Sequence, residues 1–175
     1  MVNIFCVNTQ TSRTFPEGTT LMDMIPAFAP EFETPYPIIA AKVNNVCQGL
    51  KYRAFNSRQV EFIDYTSYAG RSVYCSSLCF LLCKAAKDLF PECKVVLRRP
   101  ISKGYFCSID KHDGTALTQQ DVDAINARMR DIADQDMPFR RHEVRTQDAI
   151  DLFEKMGYEC IPRTEEARFD IVQQI

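Results

Sequence analysis

Histidine is nearly missing from this chain: His112 and His142 are the two present in 175 residues. No His-Glu-x-x-His occurs, so the familiar helical route to a hydrolytic metal site is closed, and few groups are left that titrate near neutral pH. Glycine-built loops are missing too. Neither Gly-x-x-x-x-Gly-Lys-Ser/Thr nor Gly-x-Gly-x-x-Gly is found, which excludes the common phosphate and dinucleotide cradles, and no Gly-x-Ser-x-Gly presents a serine nucleophile. The longest apolar run, near Leu78–Leu82, falls far short of the ~20 residues that span a bilayer. The N-terminus alternates instead of showing a basic and then apolar signal segment. The cytoplasm is the expected location, with no membrane partner.

An excess of charge of one sign is also absent. A net charge of −2 gives no global attraction to nucleic acid, so any contact with RNA has to come from a local patch. Cys-x-x-Cys is missing although the chain holds eight cysteines. Cys75, Cys79 and Cys83 share a helix face at four-residue spacing. At about 1.5 Å per residue the outer two are roughly 12 Å apart, too far for one zinc whose sulfur ligands sit about 2.3 Å away. One i, i+4 pair needs help from elsewhere to hold a metal. The expectation is packed cysteine and no metal. Cys107 and Ser76–Ser77 have no base close in sequence. His112 is separated from Cys107 by a turn, and Glu31, Glu33, Glu165 and Glu166 read as solvated loop charges.

What is present is an ordinary globular composition, 46% hydrophobic and 25% charged. VNIFCV and Arg13–Phe15 read as a hairpin. Thr20-Leu-Met-Asp23 has the form of a capping box opening a helix that Pro26 and Pro30 keep short. IIAAKV, an Asn44-Asn45 turn and Val46–Gln48 form a second hairpin, and QVEFID over Gln59–Asp64 is a last strand. From Arg71 to Phe90 the apolar residues fall on every side of a helical wheel, which predicts an enclosed helix. KVVLRRPISKGYFCSID then gives two strands around a Pro100–Gly104 turn. Thr118 and Asp121 cap a helix of about four turns striped by Val122, Ile125, Met129 and Ile132. MPFRRHEV is a further strand, Thr146 caps a last helix, and Gly157 ends it. The tail from Arg163 to Ile175 is unplaced.

The PEGTT before the first helix, the AAKVNN hairpin and the closing VEFID together resemble the TGS domain, a β-grasp module. The enclosed helix with the hairpin behind it, the L-T-x-x-D-V-x-x-I segment and the P-F-x-R-x-E-V-x-x-x-x-A-I-x-L-F-x-K-x-G segment resemble the second N-terminal domain of threonyl-tRNA synthetases. The resemblance implies an α+β chain with a β-grasp domain over residues 1–65. A degenerate editing-like α+β domain over 71–175, built around a central buried helix, follows a linker at Tyr65–Gly70. In that family the helix carries a His-x-x-x-His pair for hydrolysing mischarged tRNA; aligning AAKDLFP puts Ser76 and Phe80 there. The family's Cys-x-x-x-His element has no counterpart either, so the resemblance implies no catalytic residues in this segment.

The same two-domain arrangement stands at the front of bacterial uridine kinase-like nucleoside kinases. It implies a non-catalytic accessory region that binds RNA or a nucleotide, with a C-terminal kinase domain as its partner. ATP and Mg would be needed only by that kinase domain, and this segment itself needs no cofactor. The alternative is a stand-alone tRNA- or RNA-binding module related to the synthetase editing domains. It needs Arg98, Arg99 and Lys103 on the hairpin and Arg140 and Arg141 on the later strand, with Arg145 close by, to meet on one surface. Charge-protected strand edges account for the same residues. A third reading is a dimerising segment, which requires a large exposed apolar patch.

Overall fold

A computed structural model describes residues 1–101, 104–158 and 169–174. It is an α+β chain whose described residues form four α-helices and eleven short strands. Backbone proximity divides it into two compact units, Met1–Leu78 and Cys79–Ile175.

In the first unit, β1 (Val2–Cys6) buries Val2, Ile4 and Cys6 on one face, as strand alternation requires. It pairs antiparallel with β2 (Thr11–Phe15), Val2 opposite Phe15. β3 (Thr19–Thr20) leads into α1 (Leu21–Phe28) and a short 3-10 turn. β4 (Ala40–Val43) and β5 (Val46–Gln48) are joined by Asn44 and Asn45 at φ 48° and 67°, the positive angles a tight hairpin asks for. β6 (Arg53–Ala54) pairs with β3, and β7 (Arg58–Ile63) runs parallel to β1 and antiparallel to β4. The sheet order is β2-β1-β7-β4-β5.

α1 places Leu21, Met24 and Phe28 on that sheet, all fully buried. Phe28 lies between Phe15 and Phe62, with ring centroids 5.9 and 6.1 Å away. Thr20 accepts from the Asp23 N–H, as expected of its capping box. The first two helical N–H groups donate to the carbonyls of Tyr52 and Leu50, which gives the loop before β6 a structural task. Glu31 is more than a solvated charge: its carboxylate accepts from Thr11 Oγ1 at 2.9 Å and pairs with Arg13. The Thr11 bond, followed by Arg13, holds its pKa below the usual value.

α2 (Tyr68–Leu89) starts where Ser67 Oγ accepts from the Gly70 N–H at 2.9 Å. Gly70 is buried, and a Cβ there would lie 1.7 Å from the Asp64 carbonyl oxygen. The boundary between units falls between Leu78 and Cys79, inside this helix. The expected central buried helix is therefore corrected. Tyr74 and Leu78 are 45% and 39% exposed, most other positions are half-buried, and only Gly70, Ala85 and Ala86 are fully buried. An all-round apolar wheel permits enclosure without requiring it: on α2 the large apolar residues Tyr68, Tyr74, Leu78 and Leu89 face outward while the small Ala85 and Ala86 are buried.

In the second unit, β8 (Lys94–Ile101) pairs with β9 (Gly104–Asp110), α3 covers Gln119–Asp134, and β10 (Phe139–Val144) precedes α4 (Thr146–Lys155). β11 (Phe169–Gln174), in the tail left unplaced by the sequence, lies antiparallel to β10. Both ladders are two-stranded. Pro100, expected in the turn, stays in β8 opposite Tyr105, after a register shift between Leu97 and Pro100, an irregularity of the kind at which strands accept proline. Small cores form where Ala85 meets Ile125 and Ile132, and where Ala86 meets Cys93 and Val95. Arg128 of α3 donates twice to Asp88 Oδ2 of α2, at 2.9 and 2.7 Å. Thr118 and Asp121 complete a reciprocal capping box on α3. Thr146 is the first residue of α4 instead of its cap; Arg145 precedes it and pairs with Asp148.

Candidate nucleic-acid interface

α2 carries both positions at which the resemblance expects histidine. Ser76 is exposed and Phe80 half-buried. Its ring packs on Phe139 of β10, with centroids 5.4 Å apart at 42°. Neighbouring Ser77 donates to the Val73 carbonyl at 2.9 Å, which commits that hydroxyl to the helix backbone. A single hydroxyl and a hydrocarbon ring offer neither a base nor a metal ligand pair. Among the described residues no group of three or more His, Cys, Asp or Glu side chains is placed to hold a metal ion. Cys83 and Cys93 have thiol pKa values pushed up, in both cases chiefly by burial.

Of the basic residues read from the sequence, Arg98 is exposed on β8 and Arg140 is exposed on β10. Lys103 and the side chains of Arg99 and Arg141 lie outside the described residues. β8 pairs with β9 and β10 with β11, and among the described residues no ladder joins the two pairs. The distal half of the β8–β9 ribbon adds what a count of charges passes over. Leu97, Tyr105 and Phe106 are 40%, 48% and 51% exposed, so Arg98 shares its end of the ribbon with two accessible aromatic rings. Arginine beside exposed aromatic faces suits unpaired bases, which stack on rings while the cation meets phosphate. Alternation along GYFCSID hints at one outward ring. That two adjacent rings are both exposed depends on how little covers the ribbon.

A second cationic feature brings together residues from three separate parts of the sequence. Lys87, Glu92, Lys94, His112 and Lys155 line a hollow of about 380 Å3 with Pro91, Met156 and Gly157. Gly157, at φ 80°, ends α4 as its position predicts, and its carbonyl turns to accept from Lys94 Nζ at 2.8 Å. Lys87 Nζ donates to the Pro91 carbonyl at 3.2 Å. Lys94 Nζ also lies 5.5 Å from the centroid of the Tyr158 ring. His112 sits in the loop after β9 at φ 63°, its N–H held by Asp110 Oδ1 at 2.9 Å.

No family model matches the chain. Individual relatives do. The threonine–tRNA ligase of Desulforamulus reducens is 27% identical over 143 residues, covering 82% of this chain and 22% of the relative. That of Syntrophomonas wolfei is 25% identical over 163 residues, 93% of this chain and 24% of the relative. That of Azobacteroides pseudotrichonymphae is 24% identical over 178 residues, 99% of this chain and 27% of the relative. The chain is similar to a region of threonine–tRNA ligases. It spans about a quarter of the length of these relatives. Threonine–tRNA ligase similarity thus runs through both compact units, in keeping with the α+β architecture. The nucleoside kinase context expected for the parent finds no support among these relatives. No described helix is long and apolar enough to cross a membrane.

Proposed function

We propose that this chain is a cytoplasmic RNA-binding module, directed to tRNA, related to the N-terminal region of threonine–tRNA ligases and without their hydrolytic chemistry. Its first part, residues 1–65, is a TGS-like β-grasp domain. Residues 71–175 form a degenerate editing-like domain in which Ser76 and Phe80 occupy the places of the histidine pair. The observation that carries the binding reading is the exposed end of the β8–β9 ribbon, where Arg98, Tyr105 and Phe106 stand accessible together. The relatives' own name supplies the RNA class, and a tRNA-directed module is favoured over an accessory region of a nucleoside kinase because all the relatives described above are tRNA ligases.

Fluorescence anisotropy with labelled tRNA tests this. Binding should weaken steeply as salt rises, because phosphate contacts release counterions. Arg98→Ser should weaken all RNA sequences alike, while Tyr105→Ala and Phe106→Ala should each cost roughly 1–3 kcal/mol of stacking. Mischarged Ser-tRNA incubated with the chain should hydrolyse at its background rate. Binding that ignores both salt and the ribbon variants would remove the ribbon from the interface, and measurable hydrolysis would restore a catalytic role.

A further inference from the structure

We propose that the hollow lined by Lys87, Lys94, His112 and Lys155 is a phosphate-binding site, taking either a backbone phosphate of RNA or the phosphates of a free nucleotide. Three stretches far apart in sequence build it: the segment from the end of α2 through Pro91–Glu92 to the start of β8, the loop after β9 and the end of α4. Glu92 is the one carboxylate among the lining residues, against three ammonium groups.

Helix ends account for part of this arrangement. A lysine near a helix C-terminus offsets the partial negative charge of the terminal carbonyls, and both Lys87 and Lys155 occupy last turns. Lys94 is on no helix, yet it is drawn into the same hollow by the Gly157 carbonyl and the Tyr158 ring. The backbone bonds position the ammonium groups without using them up. Each ammonium has three donors, and Lys87 and Lys94 each give one to a carbonyl, which leaves further donors for a ligand.

Lys87 and Lys94 are half-buried, where repulsion between like charges is screened less than in open water. A phosphate supplies the missing negative charge and several acceptor oxygens, and its hydrogen bonds to ammonium groups are of the stronger, charge-assisted kind. The volume of about 380 Å3 exceeds one phosphate and leaves room for an attached sugar. If the phosphate belongs to RNA, the inference rests on the RNA-binding reading above; if it belongs to a nucleotide, it stands apart from that reading.

The test titrates the full chain with pyrophosphate, with ATP and with a fluorescein-labelled unstructured RNA, for wild type, Lys155→Glu, Lys87→Glu and Arg98→Ser. A nucleotide site is expected to bind pyrophosphate and ATP, to weaken roughly tenfold or more in either lysine reversal and to ignore Arg98→Ser. An RNA phosphate site is expected to bind only the RNA and to weaken in the same reversals. The inference is overturned if none of the three probes binds up to millimolar concentration, or if all that bind do so equally in wild type and both reversals. RNA binding lost in Arg98→Ser but untouched by the reversals overturns the hollow and leaves the RNA reading standing. Lys155 is exposed, so Lys155→Glu decides the matter if Lys87→Glu fails to fold.

Discussion

Single side chains in this protein divide by how much water reaches them, and the cysteines show it most directly. Cys47 is exposed, Cys6 and Cys93 are fully buried, and Cys83 is half-buried with its thiol pKa raised chiefly by burial. Because the thiolate is the reactive form, brief iodoacetamide treatment at neutral pH should modify Cys47 first, and Cys93 only after unfolding. Peptide mapping by mass spectrometry reads this out; Cys93 labelled as fast as Cys47 would contradict the packing. The carboxylate of Asp88 behaves in the opposite sense. Burial pushes its pKa up, but hydrogen bonds from Lys84 and Arg128 outweigh that and hold it below the usual aspartate value. A lowered folded pKa stabilises the fold above the unfolded value, about pH 4, and that contribution is lost as pH falls through the folded one. Wild type should therefore lose stability relative to Asp88→Asn as urea melts are taken from pH 6 down to about pH 3. A difference that stays constant with pH would mean that the pair adds nothing.

At the scale of elements, what depends on neighbours in sequence was legible and what depends on neighbours in space was not. Thr20 and Thr118 cap their helices because cap and N3 partner lie within one turn, a distance that sequence spells out. Asn44-Asn45 gave the hairpin turn in the same way. The two-residue ladder of β3 with β6 escaped because so short a pair has no periodicity to read. The burial of α2 departs from its sequence pattern because an all-round apolar wheel says what a helix tolerates, while enclosure needs partners, and the described ladders of the second unit are two strands wide. The lysine hollow is hidden for a related reason: the segment with Lys87 and Lys94 meets His112 and Lys155 only in the folded chain. The cap reading has a direct check. Thr118→Ala should lower stability by about 1 kcal/mol, since it leaves the Asp121 N–H without its partner. A urea midpoint unchanged beyond error would show that the box is dispensable.

Over the whole molecule, a net charge of −2 conceals a local surplus of lysine at one hollow and an arginine among exposed rings at one ribbon end. Composition averages over surfaces that a ligand meets one at a time. Glycine use is equally local. Gly49 and Gly104 have nothing within 4 Å of where a side chain would begin, whereas at Gly70 the Asp64 carbonyl oxygen already fills that space. The consequence concerns which histories are open to the chain. A saturation library selected for soluble expression should return many residues at positions 49 and 104 and glycine alone at position 70, as checked by deep sequencing of the survivors. A lineage diverging from this sequence meets no steric bar to a side chain at positions 49 and 104, but it leaves the first turn of that helix only by moving the backbone that meets it.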